Sequence, residues 1–143
     1  MKTLLTIACS LIIGLQSYAQ AESQPGTWTL IKSQNGVNIY AKEEICTVAQ
    51  TNMQIKYKLL KFENTTANVK NVSFRYNLYY GSTTCATCQN SEYDQQFVLA
   101  PNQVREASCS NNDDALKVFI RYENERNYSP DLSQMDFGNL VIN

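Results

Sequence analysis

The sequence predicts an all-β fold, an antiparallel two-sheet sandwich of seven to eight strands. Three observations carry this expectation. Asn35-Gly36 separates two runs of alternating apolar residues, the local mark of a tight hairpin. Short alternating runs then recur along the chain, divided by turn-rich segments. No stretch of a dozen residues keeps a helical period.

The opening segment, "MKTLLTIACSLIIGLQSYAQA", reads as a secretory signal peptide over residues 1–20. Lys2 gives the positive start, Leu4 to Leu15 the apolar run, and Ser17 to Ala21 the small residues at the cleavage point. The apolar run is shorter than the ~20 residues of a spanning helix. No small-residue box precedes a cysteine there, which argues against a lipid anchor. Residues 21–143, about 123 in number, form one domain's worth of chain. Loss of Lys2 leaves 11 basic against 13 acidic residues, a net charge of −2. No basic stripe suggests a nucleic-acid partner. No second long apolar run suggests a membrane span in the mature chain.

"TWTLIKSQNGVNIYAKEE" supplies the first two strands. With Asn35-Gly36 as a two-residue type I′ loop, Gln34 faces Val37, Lys32 faces Ile39, Leu30 faces Ala41 and Trp28 faces Glu43. Cross-strand partners share a face. Trp28 and Leu30 are therefore expected beside Val37, Ile39 and Ala41. In "QIKYKLLKFEN" (54–64), Ile55, Tyr57 and Leu59 alternate, then the parity slips to Leu60 and Phe62. A bulge, or burial on both faces, explains such a slip. Val72, Phe74, Tyr76, Leu78 and Tyr80 mark a half-buried strand. Tyr93, Phe97 and Leu99 mark the next, and Val104 to Cys109 returns after the "APNQ" turn. Leu116, Val118, Ile120 and Tyr122 alternate again, and a last short strand falls within Met135 to Ile142. "NERNYSPDLSQ" (124–134) is the longest polar connection.

The runs "YKLLKFENTTANVKNVSFRYNLYYG", "FVLAPNQVREASCS" and "LKVFIRYEN" resemble the strand texture of secreted bacterial immunoglobulin-like or fibronectin-III-like sandwich domains. The recurrent features are a strand ending in Glu63-Asn64-Thr65 and another closing on Leu99-Ala100-Pro101. The resemblance covers about two thirds of the mature chain. It implies an immunoglobulin-like sandwich acting in binding, adhesion or structure, with no catalytic residues to carry over. Trp28, Gly36-Val37 and Ile39-Tyr40 are also similar to the opening strands of START-type lipid-binding domains. That likeness requires a long C-terminal helix, whereas residues 122–143 contain Pro130 and Gly138 and no helical period.

Histidine is absent, which excludes histidine-dependent triads and imidazole-ligated zinc. No catalytic residue and no cofactor is expected. Cys9 leaves with the leader, so the mature chain holds Cys46, Cys85, Cys88 and Cys109. An even number in an exported chain favours disulfides. Sequence fixes no geometry, so all three pairings stay open; the expectation is Cys85–Cys88 with Cys46–Cys109. The first clips a hairpin tip. The second closes a loop of about sixty residues, worth about 4 kcal/mol of unfolded-chain freedom in the entropy model. A redox role for Cys85-Ala86-Thr87-Cys88 would need a following helix, but "QNSEYDQQFVL" reads as loop then strand. A four-cysteine zinc site would want a second C-x-x-C.

Ser110 to Ala115, "SNNDDA", is rich in oxygen acceptors. Asp113 and Asp114 are the candidates for calcium there, against the plainer reading of a solvated turn. Nine tyrosines are many for this length. Tyr79, Tyr93, Tyr122 and Tyr128 are candidates for an aromatic ligand face suited to a glycan or a protein. Phe119, on the Lys117/Arg121 side of its strand, is expected at a sheet edge or interface. Glu43-Glu44, Asp113-Asp114 and Glu123/Glu125 are carboxylate pairs without a recognisable catalytic frame. Asn64, Asn71 and Asn127 stand in Asn-x-Ser/Thr triplets. The functional expectation is a secreted or periplasmic, non-catalytic binding or structural module, with an extracellular or periplasmic protein or glycan as partner. Its alternatives are a carbohydrate-binding module using exposed tyrosines, and a small lipid or ligand carrier or carboxylate-based enzyme.

Overall fold

A computed structural model describes residues 26–124 and 130–143. The expected leader and Tyr128 lie outside these residues. Among the described residues eight strands form: β1 (Thr29–Gln34), β2 (Val37–Val48), β3 (Met53–Asn64), β4 (Lys70–Tyr80), β5 (Asp94–Leu99), β6 (Val104–Glu106), β7 (Lys117–Tyr122) and β8 (Leu132–Ile142). Single 3-10 turns occupy Ser91–Tyr93 and Asp114–Leu116. All pairings are antiparallel. One sheet runs β1-β2-β3, with β6 and β7 both on the far edge of β3; the other runs β5-β4-β8.

The hairpin forms on its turn chemistry. Asn35 and Gly36 take φ of 48° and 79°, the conformation that a type I′ loop needs. A Cβ at Gly36 would also collide with Thr66 Cγ2. Gln34 faces Val37 and Lys32 faces Ile39, as the turn dictates. The register then shifts between Lys32 and Leu30, so Leu30 faces Tyr40 and Thr29 faces Ala41. This corrects the expected pairs Leu30–Ala41 and Trp28–Glu43. Ile31 is the extra residue, and one inserted residue turns every later side chain to the other face. Leu30 is consequently 52% exposed. Trp28 lies beside the cationic strand residues, with Lys42 Nζ 4.9 Å and Lys61 Nζ 5.1 Å from its ring centroid.

The parity slip in β3 has a different origin. Its ladder to β2 runs unbroken from Asn64–Val37 to Met53–Val48, so no residue is inserted. Leu59 and Leu60 point to opposite faces, and both are fully buried. Leu60 shares its face with Ala41 and Phe62, which pack toward the second sheet. Leu59 shares its face with Tyr57, Ile55 and Cys46. The β6–β7 connection reaches that face through Cys109, bonded to Cys46, while its Ala107 and Leu116 are buried in the common core. The right-handed twist of so long a strand turns a different face to the interior at each end.

Between the sheets the core is aromatic. The Phe62 and Phe74 rings stack at 5.6 Å, and Phe97 meets Phe62 edge-on at 5.1 Å. Buried Asn64 knots two strand ends together. Its amide donates to the carbonyls of Asn68 (2.7 Å) and Ala100 (2.9 Å), and its Oδ1 accepts from the Thr66 amide and hydroxyl. The Glu63-Asn64-Thr65 and Leu99-Ala100-Pro101 segments are thus joined by one side chain. The C-terminal segment is an eleven-residue strand rather than a helix, and it pairs with β4.

Candidate functional site

The β4–β5 connection builds the first wall of a groove. Cys85 and Cys88 are bonded within it, at 2.02 Å between sulfurs. Thr87, between them, is buried. Its hydroxyl donates to the Tyr76 carbonyl and accepts from the Leu78 amide, so it pegs the loop to β4. Arg75 grips the loop from outside, donating to the Cys88 carbonyl at 2.9 Å and bidentately to Asp94 at 2.6 and 2.8 Å. That carboxylate's hydrogen bonds raise the Arg75 pKa, and those of Arg75 lower the Asp94 pKa. The loop then enters the turn Ser91–Tyr93. Asn90 caps it by accepting from the Glu92 amide at 3.0 Å. Clip, peg and cap together set where Glu92 and Tyr93 stand.

The opposite wall comes from the turn Asp114–Leu116 and from β7, through Asp114, Lys117 and Phe119. Tyr76, Leu78 and Tyr80 of β4 form the floor, and the groove encloses about 480 Å³. Two tyrosines stitch floor to wall: Tyr76 Oη donates to the Ala115 carbonyl at 2.8 Å, and Tyr80 Oη to the Phe119 carbonyl at 2.9 Å. Burial pushes the Tyr80 phenol up to about 12, with the neighbouring Tyr93 adding to the shift. Burial raises Tyr76 further, and the nearby Asp113 carboxylate reinforces it. Both phenols therefore stay protonated donors near neutral pH. Lys117 is held against its own loop by the Asn111 carbonyl and by Asp114 at 3.3 Å. Glu92 receives only the Asn90 amide, at 3.3 Å, and makes no ion pair among the described residues.

The structure brings together some of the side chains that the sequence singled out and separates others. Tyr93 and Phe119 both line the groove. Tyr122 sets its ring 4.9 Å from Phe119 at an angle of 60°, outside the lining. Tyr79 follows the opposite face of β4 from Tyr80, paired with Gln134 of β8. These four rings do not make one flat platform. Sequence reasoning passed over Tyr76, Tyr80 and Thr87. Alternation marks the two tyrosines as inward-facing, but it does not distinguish a core position from a groove floor.

The remaining candidates are engaged elsewhere. Arg105 donates bidentately to Asp113 at 2.7 and 2.8 Å and lies 4.4 Å over the Phe97 ring. Asp114, at the groove rim, pairs with Lys117 while Asp113 pairs with Arg105, and no group of three possible metal-ligand side chains occurs among the described residues. Cys46 and Cys109 are bonded at 2.00 Å, apart from the Cys85–Cys88 pair. Glu43 pairs with Lys56 at 2.7 Å, Glu44 with Lys42 at 2.6 Å and Glu123 with Arg121 at 2.9 Å. Asn71 is exposed on β4, Asn64 is buried, and Asn127 lies outside the described residues. No described helix is long and apolar enough to cross a membrane. Comparison with protein-family models, with curated proteins and with solved structures gives no match.

Proposed function

We propose that this chain is a non-catalytic binding module of an oxidising space outside the cytoplasm, secreted or periplasmic, and that the groove between the Ser91–Tyr93 turn and β7 is its ligand seat. One observation carries the reading. Aromatic and carboxylate side chains from β4, the β4–β5 connection, the Asp114–Leu116 turn and β7 converge on one open cavity of about 480 Å³. Apolar walls with a few placed polar groups are the usual form of a ligand site. Two disulfides support the compartment, since such bonds persist where thiols are not kept reduced. The leader over residues 1–20 supports export. The commitment of Glu43, Glu44, Asp113 and Glu123 to basic partners supports a role without acid–base chemistry.

The sandwich is read as immunoglobulin-like or fibronectin-III-like. Its path supports this: the β4–β5 hairpin lies in one sheet, the chain returns to the edge of β3, then recrosses to the free edge of β4. Such sandwiches carry loops at their ends and edges while the core holds them rigid.

A pull-down and a glycan array, each run with the oxidised mature protein, test the seat. Tyr93→Ala and Phe119→Ala should abolish capture of whatever ligand is found, and Tyr79→Ala should not. Capture that survives both groove substitutions and fails with Tyr79→Ala would move the site to the outer face of β4.

A further inference from the structure

The groove's chemistry also says what class of group enters it, and this step rests on the groove being the ligand seat. The floor hydroxyls of Tyr76 and Tyr80 are both engaged with backbone carbonyls, so these residues offer ring surface rather than donors. The ammonium of Lys117 is held by Asn111 and Asp114. The donors left in the lining are the Gln95 amide, the Tyr93 hydroxyl and the one Lys117 N–H not committed to Asn111 or Asp114. The acceptors are more plentiful, with carboxylates at Glu92 and Asp114 on the exposed rim. Only Asp114 has a cation beside it; Glu92 has none among the described residues.

A polyol ligand needs donors and acceptors in similar measure, because each of its hydroxyls is both. A cation needs acceptors and electron-rich ring faces only. The rings of Tyr80, Tyr93 and Phe119, lining the same groove as an uncompensated Glu92, match the second requirement. We infer that the groove takes an organic cation, a lysine or arginine side chain presented by a partner protein, held by the ring faces and by the Glu92 carboxylate. The volume, about 480 Å³, exceeds one side chain and leaves room for the neighbouring residues of the presenting peptide.

The test is an NMR titration of the oxidised, isotope-labelled protein with Nα-acetyl-arginine amide, Nα-acetyl-lysine amide and a neutral disaccharide. Probe concentrations should reach about 10 mM, enough to reveal a millimolar Kd. The two cations should move the resonances of Tyr93, Phe119 and Glu92, and the disaccharide should not. Glu92→Gln should weaken the cations about fivefold, as should added salt. Glu92 is exposed, so the variant keeps the fold and isolates the charge. A disaccharide that moves the groove resonances while both cations leave them still would overturn the ligand class and keep the seat. Cation shifts unchanged in Glu92→Gln would remove the carboxylate's role. No shift from any probe would remove this inference, while capture lost in Phe119→Ala would still uphold the seat for a different ligand.

Discussion

The two halves of β3 are held by different means. From Leu60 to Asn64 the strand lies against the second sheet, and Phe62 is enclosed by Phe74 and Phe97. From Ile55 to Leu59 the same strand has turned its other face inward. There Cys46–Cys109 ties the β6–β7 connection to β2, while Glu43 holds Lys56 and Lys58 on the opposite face at 2.7 and 4.0 Å. The difference teaches how one strand uses both of its faces. Both halves bury apolar side chains, Leu59 as fully as Phe62, but the second half adds a covalent tie and charge pairs to its packing.

The largest expected effect falls on the packed half. Phe62→Ala should lower unfolding stability by about 3–5 kcal/mol, seen as a drop in denaturant midpoint at unchanged slope. A loss below about 1 kcal/mol would mean that the aromatic core does not hold that half. Next comes the tied half. Removing the staple with Cys46→Ser and Cys109→Ser together should cost about 2–4 kcal/mol. Hydrogen exchange should rise first at Ile55–Leu59 and β7, and Phe62 amides should stay protected longest. Uniform exchange along β3 would break the comparison. The smallest effect belongs to the charges. Glu43→Gln should cost less than about 1 kcal/mol and lose that difference in high salt, because both it and its partners are partly exposed. A larger, salt-insensitive loss would show that the ion pairs carry that end.

Some of this could be read without coordinates. Asn35-Gly36 fixes the first hairpin because only residues tolerant of positive φ suit its loop. The alternation from Val72 to Leu78 fixes which face of β4 meets the core. The bulge at Ile31 was hidden, because Leu30 and Ile31 are both apolar and suit either register. The groove was half legible. Tyr93 stood out among the tyrosines and Phe119 for lying on the Lys117/Arg121 side of its strand, but Tyr79 was singled out in place of Tyr80, and nothing local says which neighbour borders a cavity. Thr87 was invisible because its role depends on backbone groups of β4 nine and eleven residues away.

What the sequence determined by itself is local and periodic: strand against turn, inward against outward, and four cysteines beyond residue 20 suited to an oxidising space. These follow from backbone sterics and from the two-residue period of a strand. What only the tertiary structure decided is where β3 exchanges its buried face, which residues close the groove, and which carboxylate is left without a cation. Those outcomes depend on twist and on contacts between segments far apart in the chain, and no single window of sequence contains both partners.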